Sequence, residues 1–240
     1  MKKIILSLLT LCALTTFAQD NAVIQDANAT KRTLTGSFTA ISVSDGIDLY
    51  LIQGNEESVA VSASEEKYLE RFKTEVENGM LKIYYDSKGI NLGINGKKKL
   101  KAWVSFKTLE RLTASSGADV VSKTKIDVAT LSMKFTSGSH FNGEVNTKDL
   151  TVEQNSGSGI LISGKSEKIK VEGSSGSIFK GFDLAVDYCE AKASSGAGVH
   201  ITINKELTAR ANSGGGIRYK GSALIRDVNV NSGGIVKKEK

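Results

Sequence analysis

The chain has 240 residues, 40% of them hydrophobic, with a mean hydropathy of −0.15 and a formal net charge of +6. That is apolar material for one or two domains of roughly 100–200 residues, and it excludes both a disordered chain and a polytopic membrane protein. Twenty-four glycines, no proline and only 6% aromatics also exclude a collagen-like or proline-rich rod, where proline would reach about 15–20%.

The chain opens with Met1-Lys2-Lys3, runs apolar from Ile4 to Leu14, and reaches Thr16-Phe17-Ala18 before Gln19. A basic start, a short apolar stretch and small residues ahead of the cut make residues 1–18 a Sec signal peptide cleaved after Ala18. The run is shorter than the ~20 residues that span a bilayer, and no later stretch is more apolar. The mature chain is therefore expected to carry no transmembrane segment and to lie in the periplasm, on the outer-membrane surface or outside the cell. Lipidation at Cys12 is disfavoured by Leu11, where a small residue belongs. Cleavage removes Lys2 and Lys3 and no acid, lowering the formal charge from +6 to +4. Export and the lack of aromatics among the lysines argue against nucleic acid as a partner. Loss of Cys12 leaves Cys189 alone, without an intramolecular disulfide.

A linker, 19–33, leads to a segment from Phe38 to Leu51 in which Ile41 and Val43 alternate ahead of Gly46 and Leu49 follows it by three. Ser62 with Glu65 reads as a capping box before a short helix with Tyr68, Leu69 and Phe72 on one face. Asn78-Gly79 predicts a tight hairpin between 74–77 and 81–85. The glycine-punctuated excursion Gly89 to Gly96 precedes a strand over 100–106. Gly46 stands far ahead of Gly117 in the chain, so several irregular or expanded turns are expected between them.

Beyond residue 113 the chain repeats. Ser-Gly recurs at Ser116, Ser137, Ser156, Ser175, Ser195, Ser213 and Ser232, in successive steps of 21, 19, 19, 20, 18 and 19. Three after each glycine stands Val120, Phe141, Ile160, Phe179, Val199, Ile217 or Val236. Four before each serine stands Leu112, Met133, Val152, Val171, Ala191, Ala209 or Val228. Around these the apolar period is two, which is a strand period. A ~19-residue unit of short strands cannot bury its own apolar face, so successive units must stack into a parallel β-solenoid with aliphatic inward columns. The Ser-Gly steps then form one corner of every coil, where glycine permits a sharp turn and the small polar residues are expected to build a ladder of side-chain hydrogen bonds. Absence of proline preserves the ladder donors.

The tripeptides Gly89-Ile90-Asn91 and Gly93-Ile94-Asn95, the strand Phe38-x-x-Ile41-x-Val43-x-x-Gly46 and the Ser-Ser-Gly ladder together resemble the putative auto-transporter adhesin, head GIN domain family, over roughly Phe38 to Val236. The resemblance implies an all-β, right-handed parallel β-helix in an exported bacterial protein with a role in adhesion, and it supplies no catalytic residues. An autotransporter also needs a C-terminal membrane barrel, and none is expected after the last coil.

Right-handed β-helices include polysaccharide lyases and hydrolases, which use clustered carboxylates. Here Asp48 and Asp119 follow their glycines by two, but the later equivalents are His140, Gly159, Ile178, Gly198, Gly216 and Ile235. Ser139-His140 lacks the lone serine, base and acid of a triad, since serine recurs in every coil. His200 alternates with Val199 and Ile201 and is expected to face solvent. Cys189 occupies the place of Leu131, Leu150, Ile169 and Leu207, which predicts a small buried hydrophobe. Trp103, between Ala102 and Val104, reads as half-buried packing rather than a sugar platform. Gly198, Gly215 and Gly216 do not follow a calcium-binding repeat. Two histidines and one cysteine do not fill a zinc site.

No catalytic, cofactor-binding or metal-ligating residue is predicted. The basic runs Lys97 to Lys101 and Lys237 to Lys240 read as solvated edges, the second guarding an open strand edge through which the end coil can pair with another chain. The domain reading is signal peptide 1–18, linker 19–33, an N-terminal part 34–112 with irregular coils, short helix and GIN excursion, and regular coils 113–240. The predicted function is a non-enzymatic exported cell-envelope or surface binding protein, an adhesin for glycans or for envelope or host proteins. The alternatives are a carbohydrate-binding or carbohydrate-active protein on the same scaffold and a periplasmic structural or envelope-stress protein.

Overall fold

The corner explains the repeat. In the computed structural model, which describes residues 26–88 and 98–240, the seven repeat serines have φ between 47° and 52° and the glycines after them φ between 70° and 74°. Two successive left-handed residues make a type I′ turn, closed by bonds such as Ser158 N–H to the Asn155 carbonyl at 3.2 Å. Asp45 and Gly46, at φ 63° and 66°, form an eighth corner of the same kind.

From corner to corner the backbone bonds onward: Gly46 N–H donates to Ser116 C=O, Gly117 to Ser137, and so on to Gly214 and Ser232, all within 2.9–3.2 Å. The expected side-chain ladder is replaced by this backbone ladder, because the left-handed pair turns the glycine N–H and serine C=O along the stack. Eight corners enclose seven turns.

Gly157 has nothing within 4 Å of where a Cβ would sit, so Gly157→Ala tests the backbone alone. Left-handed strain of about 1–2 kcal/mol is expected to lower its melting midpoint by roughly 2–8 °C. Ser156→Asn, a residue that tolerates this region, is expected to melt no lower than the parent. Equal melting of Gly157→Ala and parent would contradict the left-handed corner.

In chain order the strands are β1 (Thr30–Arg32), β2 (Ala40–Val43), β3 (Asp48–Gln53), β4 (Ser58–Ser62), then α1 (Glu66–Leu69), β5 (Phe72–Glu77), β6 (Met80–Tyr85), β7 (Lys101–Phe106), β8 (Arg111–Ala114), β9 (Asp119–Ser122), β10 (Ile126–Asp127) and β11 (Thr130–Phe135). Then come β12 (His140–Gln154), β13 (Gly159–Gly173), β14 (Ile178–Ala193), β15 (Gly198–Ala211), β16 (Gly216–Lys220), β17 (Leu224–Val230) and β18 (Ile235–Lys238). From β8 onward, successive coils pair in parallel, with Phe141, Ile160, Phe179, Val199, Ile217 and Val236 in register.

The first coil departs from expectation. β2 and β3 lie directly on β8 and β9, so no irregular turns separate Gly46 from Gly117. The intervening chain instead crosses to the other side of the first coil, where β6 pairs in parallel with β2 and β7 with β3. Outside them the pairing becomes antiparallel: β5 on β6, β4 on β7, and β1, from the stretch read as linker, on β4. The hairpin at Asn78 (φ 50°) and Gly79 (φ 72°) stands where the sequence placed it.

The capping box does not form. The helix is capped by Glu65 without a side-chain hydrogen bond. Ser62 is held extended in β4 by its pairing with β7, and its hydroxyl donates to Asp26 Oδ2 at 2.8 Å. Phe72 accordingly opens β5 rather than closing the helix. The signal peptide and the GIN tripeptides lie outside the described residues.

The inward columns are as read: Leu112, Met133, Val152, Val171, Ala191 and Ala209 are fully buried, as are Val120, Phe141, Ile160, Phe179, Val199 and Ile217 or nearly so. Two coils carry a ring where others carry an aliphatic side chain, and both compensate. Phe141 is followed two residues on by Gly143 and Phe179 by Gly181, whereas Ile160 is followed by Ile162 and Val199 by Ile201. A Cβ on Gly181 would stand 2.5 Å from Phe179 Cε1, so the ring occupies the space that the next inward side chain would take.

Candidate functional site

Two outward rows bring charge and aromatic rings together. The first follows the corner by two residues and runs Lys101, Asp48, Asp119, His140 across neighbouring strands. Burial, then the neighbouring Asp119, raises the Asp48 carboxyl above its ordinary range, with Lys101 opposing. His140 Nδ1 stands 3.2 Å from Asp119 Oδ1, so the two acids sit between two basic residues and the row closes on itself. Two residues further along these strands, Trp103 is only 6% exposed and stacks on Tyr50 at 5.6 Å, with Lys123 Nζ 4.8 Å from the Tyr50 ring. Trp103 is more deeply buried than the half-buried side chain expected, because Tyr50 covers it.

Ser139 and His140 point to opposite sides of their strand. The serine is buried and donates to the Ala114 carbonyl at 3.0 Å, while the histidine is exposed, so they do not form a nucleophile and base. Ser158 and Ser177 are buried likewise, bonded to Phe135 and Gln154 carbonyls. Cys189 is buried and its thiol is pushed up to about 12, chiefly by that burial, which leaves no thiolate at neutral pH. Among the described residues no group of three or more His, Cys, Asp and Glu is placed to hold a metal ion.

The second row stands four residues after the glycines. Lys180, His200, Arg218 and Lys237 occupy one outward column on successive strands. Beside them β14 carries an irregularity, Gly181 pairing with Ile201 and Ala185 with Thr202, so that Phe182 to Leu184 are extra. The bulge is fixed by Thr202 Oγ1 donating to the Phe182 carbonyl at 2.7 Å, and it swings the Phe182 ring onto His200, centroids 5.1 Å apart and planes within 10°.

Lys220 Nζ lies 5.0 Å from the same ring. Together with Lys237, Lys238, Lys240 and Glu239 these side chains line a recess of about 760 Å³. Glu239 bonds Arg218 at 2.7 Å, and it is the single acid against five cationic linings. His200 thus points outward as read, but its ring is half-buried rather than free in solvent. Burial, then Arg218 and Lys180, lowers its pKa.

On another outer face the charges pair with one another. On the face carrying a second recess of about 460 Å³, Lys134 pairs with Glu153 at 3.3 Å and Glu172 with both Lys192 and Lys170 at 2.9 and 3.1 Å. Those bonds, Lys192 first, hold Glu172 below the usual carboxylate range. The Phe182 recess sets an aromatic ring beside five cationic side chains and a single acid. The Lys237 to Lys240 run, read as a solvated edge, is part of its wall. The signal for it lay in the repeat: the column four after each glycine turns basic in the last four coils, and a long step from Ser175 to Ser195 followed by a short one to Ser213 marks the bulge.

The model of the family described as putative auto-transporter adhesin, head GIN domain, matches residues 37–223. A solved structure of a putative adhesin from Bacteroides fragilis NCTC 9343 superposes with a TM-score of 0.80 at 14% identity, over 89% of this chain and 98% of that one. A putative adhesin from Parabacteroides merdae ATCC 43184 gives 0.67 at 19%, over 90% and 98%. A putative lipid binding protein from Parabacteroides distasonis ATCC 8503 gives 0.62 at 18%, over 90% and 98%. At these identities the likeness shows a common fold. No curated protein matches the sequence. Among the described residues no helix is long and apolar enough to cross a membrane.

Proposed function

The chain belongs to the putative auto-transporter adhesin, head GIN domain family, and from that premise we propose that it is an exported, non-enzymatic binding protein of the cell envelope or surface that engages acidic carbohydrate at the Phe182 recess. The observation that carries this reading is the column His200, Arg218, Lys237, continued by Lys180 on the adjoining strand, which meets an aromatic ring in a recess lined by one acid. A sugar ring presents C–H groups that pack on an aromatic face, and its carboxylate or sulfate groups meet cations spaced by the ~4.8 Å strand interval. Export rests on the signal peptide read in residues 1–18, which places the mature chain in the periplasm, on the outer-membrane surface or outside the cell. The absence of turnover is supported by the inward serines, the protonated buried thiol and the paired Asp119.

The test is binding of the purified mature protein to neutral and acidic oligosaccharides, with product analysis on every glycan retained. Acidic glycans are expected to bind without cleavage and to be released by a few hundred millimolar salt, where the Debye length falls to about 5 Å. Arg218→Ala and Lys220→Ala should each weaken binding about tenfold, and Lys170→Ala, on the self-paired face, should leave it unchanged. Cleaved product would establish the carbohydrate-active alternative. Binding by anionic lipid vesicles but no glycan would move the site to a membrane surface, and undiminished binding by both recess variants would remove the site altogether.

The lowered pKa of His200 adds a pH signature. In the free protein burial, then Arg218 and Lys180, disfavour the protonated ring, whereas an anion in the recess favours it. Linkage then requires affinity to rise as pH falls through and below the ordinary histidine value of about 6.5. Expected is a several-fold gain between about pH 7.5 and 5.5 that disappears in His200→Asn, read by calorimetry with an acidic oligosaccharide; a flat profile for the parent would show that His200 does not face the anion.

A further inference from the structure

We propose that the protein self-associates end to end, β17 pairing antiparallel with β17 of a second copy about a two-fold axis at Val228. Among the described residues six large apolar side chains are exposed, and five of them, Leu224, Ile225, Val228, Val230 and Ile235, belong to β17 and β18. Among the described residues β17 pairs with β15 alone and β18 with β16 alone, and none of them covers the inward columns at this end. At the opposite end the same columns are closed by antiparallel β4 and β5. An uncovered strand edge backed by apolar side chains is a template for pairing.

The strand itself indicates a second copy as the occupant. Asn231 N–H donates to the Ala211 carbonyl, and since alternate residues of a strand bond to opposite sides, the N–H and C=O of Val228 and Val230 point to the open edge. The bulge at Arg226, between the pairs Leu207–Ile225 and Thr208–Asp227, brings Ile225 into the same phase. An antiparallel self-pairing centred on Val228 then sets Ile225 opposite Val230 of the second copy and Val228 opposite Val228, continuing the aliphatic columns across the junction. On the outer face it sets Asp227 opposite Asn229, acceptor against amide donor.

Sliding the register one pair inward places Asp227 on Asp227, which like charges oppose, and sliding it outward leaves only a short remnant of the strand paired. β18, whose Lys237 and Lys238 discourage strand addition, takes no part in that pairing. A strand whose only full in-phase register with itself matches apolar to apolar and acid to amide is complementary to its own copy.

The experiment is the oligomeric state of the purified mature protein by light scattering, with cysteine probes of the register. The parent is expected to be a concentration-dependent dimer at about 10–100 µM, the range of a weak interface, and Val228→Asp a monomer with parental circular dichroism. Val228→Cys should oxidise to a covalent dimer, since residues on the axis hold their Cα atoms about 5.5 Å apart, within disulfide range. Ile225→Cys alone should not cross-link, whereas a mixture of Ile225→Cys and Val230→Cys should; buried Cys189 does not compete. A parent that stays monomeric, a dimer that survives Val228→Asp, or Ile225→Cys linking to itself would each overturn the proposal.

Discussion

Replacing Val171 by aspartate is expected to unfold the protein, while the same replacement at Val228, the corresponding position of the last coil, should leave a folded monomer. Val171 is fully buried, stacked between Val152 and Ala191 in one inward column. A carboxylate there would enter the apolar core cluster, and an unpaired buried charge costs several kcal/mol beyond the lost apolar contact. The total of more than about 5 kcal/mol is comparable with the whole stability of a domain, about 5–15 kcal/mol. Val228 stands at the open end and is 41% exposed, so its carboxylate remains hydrated and the cost should stay within about 1 kcal/mol. Circular dichroism and thermal melting of the two variants in dilute solution decide the matter, and a folded Val171→Asp protein with parental melting would refute the stacked register.

The second large effect concerns the ring and glycine pair of β14. Gly181→Ile puts a branched side chain where even a Cβ would meet Phe179 Cε1 at 2.5 Å and the His200 carbonyl oxygen at 3.3 Å. Overpacking of this kind typically costs about 1–3 kcal/mol and occasionally more. Phe179→Val alone leaves a cavity and is expected to cost about 3 kcal/mol. Combined, the two changes recreate the Val199-x-Ile201 arrangement of the following coil, and the double variant should be more stable than either single one, by at least about 1 kcal/mol. Urea unfolding of the four proteins measures this coupling. Simple addition of the two losses would show that ring and glycine do not share one space.

These pairs also show how repetition makes a fold readable. Each coil lays its buried residues at a period of two inside one short repeat unit, so local spacing predicted Val171 and Cys189 as buried and placed the turns at the Ser-Gly steps. The candidate site was half legible. Lys180, His200, Arg218 and Lys237 stand at one repeat position and become a column as soon as the coils are stacked, but Phe182 belongs to no repeat position. Its place over His200 follows from a bulge created where a longer coil pairs with a shorter one, and that depends on two strands at once.

The N-terminal part marks the other boundary. Asn78-Gly79 announced its hairpin because both left-handed residues are local requirements. Ser62 and Glu65 announced a cap that did not form, because the pairing of β4 with β7 offered Ser62 an extended partner strand far away in sequence. Sequence alone determined what recurs from coil to coil: the parallel stack, its inward columns and the Ser-Gly corners, all set by one short repeat unit. Only the tertiary structure decided what depends on residues far apart. It placed β6 and β7 outside the first coil, closed that end with antiparallel strands, left β17 open, and brought a displaced ring onto a cationic column. In each case the outcome was set by competition among non-local strand pairings, whose energies no short stretch of sequence contains.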